Sequence, residues 1–177
     1  MPEVFYNDAA VIQVGNSWIT TLKDAARASP RHRARLCMHR SQDDAVQEMI
    51  IALLKPALFP PTRHVRKTKS YHMIEGELCV LLFDDRGAST QAIHLAAPGG
   101  RLPFYYRLSE GHWNTTVPLS DVVVYHEIIE GPFTPSSSSL AAPWAPAQPE
   151  ALRFFLQHHL AEMLAPANES NSAGSSG

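Results

Sequence analysis

The stretch Pro60–Gly76, PPTRHVRKTKSYHMIEG, decides the fold, and it is read together with Gly111–Pro118, GHWNTTVP. From Lys69 the first stretch alternates. If Lys69 faces inward, Tyr71 and Met73 follow it on the same strand face and His72 points the other way. Glu75-Gly76-Glu77 marks a turn, and LCVLLF after it completes what reads as a β-hairpin. Asp84-Asp85-Arg86-Gly87 is a strong turn signal, STQAIHL is another strand, and Pro98-Gly99-Gly100 breaks it. FYYRL is short and aromatic, and DVVVYHEII is a β-branched run of the kind found in buried strands. Short strands at roughly ten-residue spacing, separated by turn residues, predict an all-β sandwich or barrel.

Upstream, Val11–Val14 reads as an edge strand, and WITTLKDAARA as a helix to about Ala28, capped by Asn16 or Ser17 and ended by Pro30. In Arg31–Arg40 (RHRARLCMHR), Ala34, Leu36 and Met38 alternate with Arg33, Arg35, Cys37 and His39, giving a strand with one charged face. Arginine forks suit phosphate, but a solvated face that keeps the sheet soluble is the commoner outcome and the preferred reading. Ser41–Asp44 is a turn, Glu48–Leu54 a strand, and Leu58–Arg63 a strand bent by Pro60-Pro61. Gly131–Pro149 reads as a Pro/Ser-rich connector anchored by Phe133 and Trp144. Pro149 opens a C-terminal helix that places His158-His159 on its solvated face. The expected organisation is an N-terminal extension over 1–40, a barrel over 41–133, connector and helix over 134–164, and a disordered tail over 165–177.

Composition narrows the functional classes. With 177 residues and a hydrophobic fraction of 45%, the chain can bury a real core. A net charge of −2 gives no single-signed field to draw it to nucleic acid or a membrane. The longest apolar run, Met49–Leu54, is far too short to span a bilayer, and the N-terminus lacks the pattern of a secretory signal. Cys37 and Cys79 read as buried reduced thiols in a cytoplasmic protein.

The two opening stretches resemble the two halves of a cupin metal site. The cupin pattern runs His-x-His, four residues, Glu, six residues, Gly, and later Gly-x-x-His. Here the frame reads Thr62-x-His64, Lys69, Gly76 and Gly111-x-x-Asn114, so His64 alone keeps a metal-binding side chain. The segments RARLCMHRSQDDAVQEMIIAL, EGELCVLLFDDRG, FYYRL, VVVYHEIIEGPF and APWAP, in that order over roughly residues 16–147, resemble the WbuC-type cupin family, small bacterial proteins associated with surface-polysaccharide gene clusters. The resemblance implies a double-stranded β-helix, or jelly roll, with an N-terminal helical extension, an ancestral metal site in the barrel, and a homodimer. Departures fall on the ligands. PHRH is expected at Pro61-Thr62-Arg63-His64, a glutamate at Lys69, and Trp-His-Thr at Trp113-Asn114-Thr115. Pro103 and Ser109 stand where the second motif has glycine and proline.

A divalent first-row ion wants imidazole and anionic oxygen. Thr62 and Asn114 offer neutral oxygens, and the ammonium of Lys69 would repel such an ion by roughly 8 kcal/mol at about 4 Å and an effective dielectric of about 20. The expectation is therefore no bound metal. The alternative is a site rebuilt from His64 and His112 and holding Fe, Mn, Ni or Zn; His72, His94 and His126 are further candidates for it. Lys69 would replace the metal's charge and, with His64 and Arg63 or Arg107, receive a carboxylate or sugar phosphate. Thr62, Asn114, Tyr71 and Tyr105 or Tyr106 would complete that site, and His64 is the candidate proton carrier. Three functions follow: a metal-free cupin binding a small polar or anionic ligand such as a sugar derivative, a metal-dependent isomerase, epimerase or dioxygenase, and an inert structural or regulatory cupin.

Overall fold

The computed structural model describes residues 1–134 and 139–165. Part of the expected connector and nearly all of the expected disordered tail lie outside the described residues. The elements run β1 (Val4–Tyr6), α1 (Asn16–Ala28), β2 (Arg33–Cys37), β3 (Val46–Leu54), β4 (Thr62–Arg63), β5 (Lys69–Glu75), β6 (Glu77–Phe83), β7 (Ser89–Ala96), β8 (Tyr105–Leu108), β9 (Trp113–Pro118), β10 (Val122–Glu130), β11 (Leu140–Ala141) and α2 (Pro149–Leu164).

One sheet has the order β1-β2-β3-β10-β5-β8, the other β11-β4-β9-β6-β7. Strands β3 to β10 thus fall into the orders 3-10-5-8 and 4-9-6-7. In this arrangement first and last strands are neighbours in one sheet, and second and second-last in the other, which is the jelly roll of the cupin fold. The barrel interior packs Leu53, Tyr71, Met73, Leu78, Val80 and Val123 between the sheets. Helix α1 covers the outside of the larger sheet through Leu22, Ala25 and Ala26 against Leu36, Ala52 and Val124. Helix α2 covers the outside of the smaller one through Leu152 and Leu156 against Cys79, Leu81 and Trp113. Because β10 lies between β3 and β5 with α1 over its outer face, apolar residues stand on both of its faces, which explains its Val122–Val124 run. Among the described residues no helix is long and apolar enough to cross a membrane.

Several local expectations change. Val11–Val14 forms no strand; the edge is β1, which pairs in parallel with β2 at Val4↔Arg35. Helix α1 is capped by the backbone of Gly15, whose carbonyl accepts from Trp18 and Ile19, and no side chain caps it. The strand expected before Arg63 shrinks to two residues, since Pro60 and Pro61 have no N–H to give a ladder. The turn at Gly76 is not a hairpin. It carries the chain from β5 in one sheet to β6 in the other, and Gly76 takes a φ of +78° to do so. The hairpin is β6–β7, closed by Asp84, whose carboxylate accepts from the amides of Arg86 and Ala88. His159 is not on a solvated face: it packs 4.5 Å from the Phe155 ring and meets Ser89 Oγ at 2.9 Å. Trp144 anchors its segment as expected, edge-on to Trp113 and against Phe83.

Candidate ligand site in the barrel

Inward-facing residues of β5 start with Lys69 and continue with Tyr71 and Met73, while His72 is exposed. Lys69 is 6% exposed, and its ammonium donates to Asn114 Oδ1 at 2.6 Å. Asn114, 2% exposed on β9, uses its amide nitrogen on the carbonyls of Thr62 (3.2 Å) and His112 (2.9 Å). Those two bonds fix which end of the amide faces the lysine, so Asn114 presents an oxygen to a cation. The two halves of the motif are tied together at the backbone as well. Gly111 donates to the His64 carbonyl at 3.0 Å, and Thr62 pairs with Asn114.

A cavity of about 310 Å³ opens on this group, and Thr62, His64, Lys69, Tyr71 and Asn114 line it. A second, of about 660 Å³, adjoins it and shares Arg35, Phe59, Thr62, His64 and Glu127. Five of the residues expected from the sequence therefore line one cavity, contributed by both sheets. Tyr105 and Arg107 do not. On β8 they face outward, with Tyr105 52% exposed beside His72, and Tyr106 and Leu108 face the core. Strand alternation places the wrong tyrosine of the pair once the phase is misjudged. Arg63 is also outside: it stacks over the Trp113 ring at 4.3 Å and pairs with Asp85 at 3.0 Å. His112 is exposed and lends its backbone carbonyl; its ring lines neither cavity.

Three site residues escape the sequence reading. Arg33 and Arg35 sit opposite Leu53 and Ile51 of β3, so they point to the same side as the barrel interior and line the cavity. The charged face is in part solvated as expected, with Arg33 half-buried and Arg35 exposed, and it also forms part of the cavity wall. Arg33 lies 4.9 Å over the Phe59 ring, and its pKa is lowered by burial and then by repulsion from Arg31 and Arg35. The third is Glu127 on β10, in register with Tyr71. Its phase relative to Tyr125 is the available signal, but apolar residues on both faces of that strand hide it.

Burial dominates the electrostatics. It pulls the Lys69 amine down, against the attraction of Glu127. It pushes the Glu127 carboxyl up, against Lys69 and a hydrogen bond from Tyr71. Tyr71 and Tyr125 are pushed well up by burial, so their hydroxyls stay protonated. Arg31 is bound to Glu3, which also accepts from Ser29, so that acid is engaged. Basic groups outnumber acidic ones on the cavity wall, and like charges are crowded there.

These residues do not fit the metal that cupins commonly hold. The position of the usual carboxylate is an ammonium already seated on Asn114 Oδ1, and Thr62 and Asn114 bring neutral oxygens. Among the described residues no group of three or more His, Cys, Asp or Glu is arranged to hold an ion.

Comparison with known proteins gives the following. A family profile described as a domain of unknown function (DUF6016) matches residues 14–95. No curated protein sequence matches the chain. A crystal structure of a Shewanella oneidensis protein is 12% identical with a TM-score of 0.56, covering 88% of this chain and 99% of that one. Oxalate decarboxylase from Bacillus subtilis is 15% identical with a TM-score of 0.44, over 56% of this chain and 24% of its own. KdgF from a Halomonas species is 14% identical with a TM-score of 0.44, over 61% and 84%. This chain therefore spans about a quarter of the decarboxylase. The likeness at these identities is one of fold.

Proposed function

We propose that the barrel binds a small anionic ligand, a carboxylate or phosphate such as a sugar derivative carries, without a metal ion. The observation that carries this reading is the cavity wall itself: Arg33, Arg35, Lys69 and His64 converge on one space in which Glu127 is the acid not already bound to an arginine. Guanidinium forks match carboxylate and phosphate oxygens, and their mutual repulsion is relieved when an anion arrives. Thr62 and the Tyr71 hydroxyl supply neutral hydrogen bonds. The resemblance to the WbuC-type family, with its surface-polysaccharide association, favours a sugar derivative over other acids.

The test is thermal melting with glucose 1-phosphate, glucuronate and 2-oxo acids, with neutral glucose as control. At a hundredfold excess over Kd an anion stabilises by about 2.7 kcal/mol, a rise of roughly 5–10 °C. The rise should vanish in Arg33→Gln/Arg35→Gln. No shift with any anion ends the proposal. Elemental analysis of purified protein runs beside it: stoichiometric Fe, Mn, Ni or Zn would move the reading to a metal-dependent isomerase, epimerase or dioxygenase.

A further inference from the structure

The sequence frame treats Lys69 as a substitute charge, but its surroundings suit a different task. Its amine is almost wholly buried, yet it lies on a cavity wall rather than in packed core. Its hydrogen-bond acceptor is a neutral amide oxygen, 2.6 Å away. The Tyr71 ring stands 5.2 Å from the nitrogen. A desolvated lysine with a neutral partner is held less firmly as ammonium than one in an ion pair, and such lysines are nucleophiles toward carbonyl carbon. Burial acts on this amine in the same sense. The same cavity holds a carboxyl, Glu127, to carry protons, and two arginines, Arg33 and Arg35, to hold an acid group.

We propose that Lys69 forms an imine with a small carbonyl-bearing acid, a 2-oxo acid or an open-chain sugar acid, whose carboxylate is held by Arg33 and Arg35. This rests on the anion-binding reading above and narrows the ligand class. The Lys69 ammonium gives a proton to Glu127, and the free amine attacks the carbonyl carbon. The N–C bond forms as the C=O π bond opens, and the nitrogen's proton passes to the new alkoxide. Glu127 returns its proton to the resulting hydroxyl, which leaves as water, and the lone pair of nitrogen closes the C=N bond. The product is an iminium plus one water, with Glu127 again a carboxylate. No oxidant, reductant or metal enters the balance.

The experiment is reductive trapping. The chain has four lysines: Lys23 is paired with Glu75, Lys55 is exposed, and Lys67 is bound to the carbonyls of Glu130 and Pro132. Folded protein is mixed with pyruvate, glyoxylate, 2-oxoglutarate or glucuronate, sodium borohydride is added, and intact mass and peptide mapping locate any secondary amine. The expected result is one adduct, on Lys69, with at least one of the four probes, lost in Lys69→Arg and reduced about tenfold or more in Arg33→Gln/Arg35→Gln, as for loss of a charge-assisted bond. Adducts spread over Lys23 and Lys55, or none on Lys69 with any probe, overturn it. Because the adduct is mapped on the wild-type chain, this result does not depend on whether a variant folds. If anions raise the melting temperature but Lys69 stays unmodified, the imine fails and the anion site stands; if neither occurs, both fall.

Discussion

The two ends of the barrel interior are built from the same strands and differ in kind. On β5, Met73 is packed among Leu78, Val80 and Val123, while Lys69, at the other end of the strand, faces a cavity. On β10, Val123 belongs to the dry end and Glu127 to the polar one. Both ends are buried, so both could have been filled with apolar side chains. Burying an ammonium and a carboxyl costs desolvation that their attraction repays poorly. The dry end holds the fold together, and the polar end is kept at some expense to it. Leu78→Ala should therefore lower stability by about 3 kcal/mol, measured by urea denaturation, with the anion response intact. Lys69→Met/Glu127→Gln should change stability by about 1 kcal/mol or less, or raise it, and abolish that response. The contrast breaks if the double variant costs as much as Leu78→Ala.

The dry end also contains the corner that joins the sheets. A Cβ on Gly76 would lie 2.2 Å from the Val122 carbonyl oxygen, at a φ of +78° that side chains avoid. Gly76→Ala should cost about 2 kcal/mol, again without selective loss of ligand response. A variant that melts normally but no longer responds to anions would place the corner in the site rather than in the scaffold.

How much of this was legible in the sequence divides along the same line. Turn chemistry and β-branched runs gave an all-β sandwich or barrel, the cupin resemblance gave the jelly roll, and the alternation after Lys69 put Tyr71 and Met73 on its face of β5. Which sheet a strand joins is not written in local pattern, so the Gly76 corner reads as a hairpin. Phase is hard to read where apolar residues stand on both faces, as on β10, which hid Glu127. On β2 the alternation was plain, but a charged face looks solvated until its neighbour is known. Register with Ile51 and Leu53 turns Arg33 and Arg35 toward the cavity. The site depends on long-range pairing, and that is why Arg33, Arg35 and Glu127 were not placed in it.

The polar end should also show itself in pH dependence. Burial raises the folded pKa of Glu127 above its ordinary 4.5. The stability tied to its neutral form is full below that value and is lost as pH climbs through the raised one. Lys69 is depressed below 10.5, so its contribution is full above that value and is lost as pH falls through the lowered one. Between the two, the buried amine and the half-buried carboxyl are both charged. Relative to wild type, Lys69→Met/Glu127→Gln should gain most at neutral pH and least in acid and in alkali. Denaturation midpoints across the range test this, and a difference independent of pH would mean that the groups are not as desolvated as their positions imply.

The smallest expected effect separates inside from outside on a single strand. Tyr105 and Arg107 alternate with Tyr106 and Leu108 on β8, and they differ from them in facing solvent. Tyr105→Ala and Arg107→Ala should each move stability by about 0.5 kcal/mol or less and leave anion binding unchanged, whereas Tyr106→Ala, which empties a core position beside Tyr71, should cost about 3 kcal/mol or more. The outer pair carries the diagnostic value, because the pattern of the sequence alone put them in the site. If either outward substitution weakens anion binding while the fold holds, ligand contacts reach round the sheet edge and the barrel cavity is not the whole site. If neither does, recognition is confined to the inner face, and the arginines of β2 rather than those of β4 and β8 supply its positive charge.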